Sequence, residues 1–174
     1  MSVMKSTKKR IESVNDFVIK FANVNGTGSA SANNMFAKSL FRMGLPVCTK
    51  NIFPSNIQGL PTWYEVRVSE KGYLGRRGGT DIVLSVNPQS MPQDIQDVEP
   101  GGYFIYDNTK PLDLRLIRKD FNSIGIPLTR ICNEQYQDHP QRQLFKNVIY
   151  VGELAALLDR DFKVLTNLVA DESD

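Results

Sequence analysis

The stretch from Phe17 to Gly44 does most to limit what this chain can become. FVIKFANV, Phe17 to Val24, is an apolar strand pattern that runs into the turn Asn25-Gly26-Thr27-Gly28. From Ser29 to Met43 the apolar residues Met35, Phe36, Leu40 and Met43 recur at helical spacing, and Gly44 supplies a stop. A strand, a glycine turn and a helix in that order form the opening unit of a wound α/β sheet. Its backbone N–H groups and helix dipole favour an anion at the turn.

Further along, the same grammar recurs. Strand patterns are read at Leu45–Phe53, Thr62–Ser69, Asp81–Asn87, Tyr103–Tyr106 and Ile126–Cys132. Between Thr62 and Ser69, Tyr64, Val66 and Val68 alternate with charged neighbours, whereas Asp81–Asn87 is short, apolar and ended by Pro88, like a buried parallel strand. Helices are expected over Met91–Val98, Leu112–Ile124 and Gln141–Asp159, the last open to a break at Gly152. The expected fold is α/β: a three-layer, Rossmann-like open sheet, mostly parallel, with helices on both faces. One domain is expected over residues 16–165, between a basic tail (1–15) and an acidic end (166–174).

Charge and cysteine usage narrow the function. Twenty-one basic residues against nineteen acidic ones leave +2, too balanced for a nucleic-acid partner. No apolar run approaches the roughly 18 residues that span a bilayer, so a cytoplasmic chain without membrane contact is expected. Cys48 and Cys132 stand alone in apolar settings and read as buried thiols, and His139 is the sole histidine. Neither a metal site nor a catalytic residue is expected, and any iron–sulfur cluster would belong to another chain.

The glycine turn departs from a dinucleotide fingerprint. Ser31 stands where the third glycine belongs, and no carboxylate occurs between Asp16 and Glu65 to hold a ribose about 20 residues on. Lys50, near the end of the second strand, would suit a phosphate instead. The acid-free stretch also contains Phe53-Pro54-Ser55-Asn56-Ile57-Gln58-Gly59. In a parallel sheet this loop and the glycine turn would follow neighbouring strands and face one crevice. That crevice would accept an anion or a partner, or the turn is kept for packing alone. Arg76-Arg77-Gly78-Gly79 could clamp a carboxylate or phosphate, or be a solvated basic turn; Asp97 is expected to be distant and exposed.

From about Phe17 to Phe162 the sequence resembles the gamma domain of 2-oxoacid:ferredoxin oxidoreductases, especially the 2-oxoglutarate type. The most specific elements are Phe53 to Gly59, similar to the family's Y-P-S-x-I-x-G-G loop, then Glu65-Val66-Arg67-Val68-Ser69, and Arg76-Arg77-Gly78-Gly79-Thr80-Asp81 leading into Val86-Asn87-Pro88. A later segment, Ile126-Pro127 through Asn147 and Gly152 to Leu158, also matches. Leu60 replaces the family's second glycine, and NVNGTGSAS has fewer glycines than the usual first turn.

The resemblance implies a supporting part in the oxidative decarboxylation of a 2-oxoacid to an acyl-coenzyme A. Thiamine diphosphate, magnesium and the iron–sulfur cluster would sit in partner alpha and beta chains or domains, and electrons would leave to ferredoxin. This chain alone would be inactive and bind none of those cofactors. It would help to admit the co-substrate coenzyme A through Asn25, Gly26, Thr27, Gly28 and Ser29 together with Pro54, Ser55, Asn56, Gln58 and Gly59. Two rival readings stay open: a free-standing NADP-binding Rossmann oxidoreductase and an interaction module without a ligand.

Overall fold

Six strands and four helices make up the described part of the computed structural model, which covers residues 15–54, 57–75, 78–116 and 118–158 of 174. In chain order they are β1 (Asp16–Val24), α1 (Ser29–Arg42), β2 (Val47–Ile52), β3 (Pro61–Ser69), β4 (Thr80–Ser85), α2 (Met91–Gln96), β5 (Val98–Asp107), β6 (Asn122–Ile126), α3 (Leu128–Gln135) and α4 (His139–Leu157). A 3-10 turn, Leu114–Leu116, lies between β5 and β6.

The strand order is β2-β3-β1-β4-β5-β6. β1, β4, β5 and β6 pair in parallel, while β3 lies antiparallel between β1 and β2. The α/β expectation therefore holds, with a sheet parallel over its larger part. β2 and β3 form a hairpin, in register from Val47 opposite Val68 to Ile52 opposite Trp63.

Side-chain alternation divides the core between the two faces. Ile19 and Phe21 of β1, Tyr64, Val66 and Val68 of β3, and Ile82 and Leu84 of β4 meet Phe36 and Leu40 of α1 and Tyr150, Val151 and Leu154 of α4. On the other face Val83, Ile95, Val98, Phe104 and Phe121 form a smaller cluster under α2. Every residue of β4 is buried, as expected of the strand covered on both faces.

α1 follows its sequence pattern: Phe36 and Leu40 are wholly buried, and Gly44 ends it with its N–H donating to Phe41 O at 2.9 Å. α4 runs unbroken through Gly152, because Val151, Leu154 and Ala155 on either side are buried.

The assignment fails between Leu112 and Cys132. Among the described residues the expected helix over Leu112–Ile124 holds only the 3-10 turn followed by β6, and the expected strand over Ile126–Cys132 is mostly α3. Leu112 packs against the smaller core from irregular backbone and Leu116 from the end of the 3-10 turn, so their spacing reports burial without an α-helix. Pro127 sits at the N-cap of α3, where its missing N–H costs nothing, and this moves the strand boundary back to Ile126.

Two further expectations are corrected. Cys132 is buried, but Cys48 is only half-buried, because no described helix covers the β2 part of that face. Asp97 is partly buried and bonds Lys20 Nζ at 2.6 Å, so it secures a charge on β1.

Removing the Phe36 ring leaves a void under α1. Phe36→Ala should cost roughly 3–5 kcal/mol. Phe41→Ala on the exposed side of the same helix should change stability by less than about 0.5 kcal/mol, both read from urea unfolding.

Candidate ligand-binding site

The glycine turn after β1 is fixed from three sides. Thr27 Oγ1 donates to Val24 O at 2.8 Å, closing the turn on its own strand. Asn147 Nδ2 of α4 donates to Thr27 O at 2.9 Å. Asn25 ties the turn to the loop after β2: its N–H donates to Leu60 O at 2.9 Å, its carbonyl accepts from Gly59 N–H at 3.0 Å, and its Nδ2 donates to Ile57 O at 3.2 Å.

Gly26 and Gly28 have φ of 83° and 73°, a left-handed conformation that glycine adopts without strain. A Cβ on Gly26 would lie 2.7 Å from Gln58 Cγ, so close loop packing also requires glycine there. At Gly28 the nearest atom would be Asn147 Nδ2 at 3.9 Å, which leaves room. Gly28 caps α1 without a side-chain hydrogen bond, and the first turn of α1 has no acidic residue. These are conditions under which an anion is favoured at a helix start.

Asn25, Gly26, Thr27, Gly28 and Ser29 therefore lie beside the loop that carries Pro54, Gln58 and Gly59, the last three exposed. Ser55 and Asn56, and also Arg76 and Arg77, fall outside the described residues. The loops meet for a reason different from the expected one. β1 and β2 are not neighbours; β3 enters between them, and its start brings Leu60 to Asn25. Lys50 does not join them. It lies in register with Glu65, among residues lining a cavity on the face away from α1.

Residues that the sequence did not single out complete the site. At the carboxyl end of β5, Asp107 accepts hydrogen bonds from Thr109 and Thr129 and pairs with Lys146 Nζ of α4 at 2.9 Å. Burial opposes the charge on Asp107, but hydrogen bonds from Lys146, Thr109 and Thr129 and the Lys146 charge outweigh it, holding the carboxyl at about 2. Val86, Pro88 and Lys146 border two hollows of about 410 and 220 Å³; Tyr106 and Leu112 line the larger, and Thr27 and Asn147 the smaller. This is where the strand order reverses between β1 and β4, a usual place for ligands in open α/β sheets. The only sequence signal was Asp107 at a strand end; nothing local marks Lys146 or Asn147.

Among the described residues no three histidine, cysteine or acidic side chains are grouped to hold a metal ion. No described helix is long and apolar enough to cross a membrane.

Residues 18–172 match the family model described as pyruvate ferredoxin/flavodoxin oxidoreductase. The chain belongs to this family. Subunit alpha of 2-oxoacid:ferredoxin oxidoreductase 2 from Aeropyrum pernix is 32% identical over 82 residues, which make up 47% of this chain and 13% of that subunit. The 2-oxoglutarate:ferredoxin oxidoreductase of Magnetococcus marinus, solved with 2-oxoglutarate, coenzyme A and succinyl-CoA bound, superposes with a TM-score of 0.81 at 25% identity. That match covers 92% of this chain and 27% of the other, so the present chain spans only a small part of either relative. A pyruvate oxidoreductase subunit from Thermotoga maritima shares the fold over 91% of this chain and 86% of its own, with a TM-score of 0.71 and 16% identity.

The ion pair beside this family member's crevice gives a signed pH effect. Because the folded-state value for Asp107 lies below its ordinary 3.8, its stabilisation is complete above that value and fades as pH falls toward about 2. The stability difference between wild type and Asp107→Asn should be steady above about pH 5 and narrow below pH 4, as measured by denaturant unfolding across pH.

Proposed function

We propose that the chain is the gamma-type domain or subunit of a thiamine-diphosphate-dependent 2-oxoacid:ferredoxin oxidoreductase. The assembly would oxidise 2-oxoglutarate to its acyl-coenzyme A, and this chain would receive coenzyme A at the carboxyl ends of β1 and β4. The observation that carries the site is the tie between the glycine turn, the Phe53–Leu60 loop and α4. It sets an uncapped helix start next to neutral donors and Lys146. The family match and the likeness to the Magnetococcus enzyme supply the reaction class.

The described residues do not fit an iron–sulfur cluster or a diphosphate-bound metal. Cys48 faces away from α1, Cys132 is buried in α3, and among the described residues neither belongs to a group of three histidine, cysteine or acidic side chains that could hold a metal. In this reading those groups are held by thiamine-diphosphate-bearing partner chains or domains, and ferredoxin meets the complex.

Among the described residues the site offers no general base. Asp107 is committed to Lys146 and two threonines, and burial drives the hydroxyl of Tyr150 far above the neutral range. Its work is binding. Backbone amides of the first turn suit a phosphate, and Gln58 and Asn147 offer amides to a pantetheine chain.

Asp is among the residues that best tolerate a left-handed backbone, and Gly28 has room for a side chain. Gly28→Asp should raise the KM for coenzyme A about tenfold in the assembled enzyme, equivalent to ~1.4 kcal/mol of repulsion. Lys119→Ala, exposed near the amino end of β6, should leave it unchanged. Loss of assembly with unchanged coenzyme A kinetics in the remaining complex would instead make these loops a packing surface.

The NADP alternative requires Lys50 beside the glycine turn, and the two lie apart. Calorimetric titration with micromolar NADP should give no saturable heat. A saturable heat abolished by Lys50→Ala would favour the dinucleotide reading.

A further inference from the structure

On the face of the sheet away from α1, toward the amino end of β1, lies a cavity of about 460 Å³. Val18, Cys48, Lys50, Glu65, Arg67 and Leu74 line it. Gly75, Gly78 and Gly79, from the segment joining β3 to β4, complete the wall with backbone only. The volume falls within the range of small-ligand sites. The cavity is separate from the proposed coenzyme A site: it lies toward the amino end of β1 and shares no residue with the hollows beside Lys146.

Arg67 stands opposite Val18 on β1 and Cys48 on β2, in the middle of three strands. Its side chain is 12% exposed. Nη2 comes to 2.9 Å from Asp16 Oδ1, but that oxygen makes no aligned hydrogen bond. Arg67 Nε and Nη1 are buried without a hydrogen-bond partner among the described residues. A guanidinium cannot shed its charge, and unpaired donors in a buried position cost free energy. A change in the terminal torsions of Arg67 would turn these donors toward a ligand in the cavity that the side chain lines.

The surrounding charges select among anions. Among the described residues that line or border the cavity, Lys50 and Arg67 are offset by Glu65 and by Asp16, so a second negative charge on the ligand would meet carboxylates without a spare cation among these residues. Lys20, opposite Glu65 on β1, is committed to Asp97. Val18 and Leu74 supply apolar wall. We propose that this cavity binds a small monocarboxylate with a short apolar body, its carboxylate held by Arg67.

Isovalerate is a suitable probe, isovaleramide its neutral counterpart and inorganic phosphate the competing anion. In the full chain followed by ¹H–¹⁵N NMR, isovalerate should give saturable shifts at Val18, Cys48, Gly75, Gly78 and Gly79, and at Arg67 Nε–H. Isovaleramide should bind at least about tenfold more weakly, the worth of a charge-assisted hydrogen bond. Arg67→Met should abolish the shifts at the cavity, and Arg67→Lys should retain a weakened response. The proposal fails if wild type shows no saturable shift, if isovaleramide binds as well as isovalerate, or if the shifts persist in Arg67→Met. Phosphate binding more tightly at the same residues would overturn the ligand class. Should Arg67→Met not fold, the acid–amide comparison on wild type decides alone.

Discussion

The ring of Phe21 is the point on which the rest of this architecture turns. It projects from the central strand β1 and touches Phe36 of α1, Tyr64 of β3 and Tyr150 of α4, with centroids 5.7, 6.3 and 6.0 Å away. Tyr150 is fully buried and donates its hydroxyl to Asn33 Oδ1 at 2.9 Å, which locks α4 to α1. Residues three and four positions apart share a helix face, so docking α4 through Tyr150 brings Asn147 and Lys146 over the ends of the strands. Asn147 then reaches Thr27, and Lys146 reaches Asp107. The packing of one aromatic cluster thus sets the geometry of the crevice.

The second face is organised by polar contacts. Asp94 of α2 is wholly buried, and its carboxyl accepts hydrogen bonds from Trp63 of β3, Ser85 of β4 and Ser90. Burial pushes its pKa up, and those three bonds and the charge of Lys20 only partly offset the rise. Lys20 lies 5.2 Å from the centre of the Trp63 ring while pairing with Asp97. α2 is therefore pinned over β4 and β5, and the β1-β3-β2 part of the sheet keeps charged and half-buried side chains that no described helix covers. The two faces differ accordingly: one is a packed core that aims α4, and the other holds a cavity.

The family match spans nearly the whole described chain, yet the chain is a small part of the larger relatives. Apolar side chains are exposed on the loop after β2, Phe53 at 49% and Ile57 at 64%, and Ile57 O accepts a hydrogen bond from Asn25 Nδ2 of the glycine turn. A ligand or a neighbouring protein surface approaching it would meet apolar and hydrogen-bonding groups together.

By itself the sequence determined the elements whose periodicity and punctuation are local. β1, the glycine turn, α1, β3, β4 and α4 were legible because alternation, helical spacing, Gly44 and Pro88 act within a few residues. It also showed an acid-free stretch holding both site loops, and it carried the family resemblance. Where apolar residues pack from irregular backbone or a short 3-10 turn, as at Leu112 and Leu116, periodicity pointed to an α-helix that is absent among the described residues. Only the tertiary structure decided that β3 enters between β1 and β2, that Lys50 faces away from the turn, and that Lys146, Asn147 and Asp107 converge there. These outcomes depend on strand order and on the seating of α4, which long-range packing against Phe21 sets and no local spacing records.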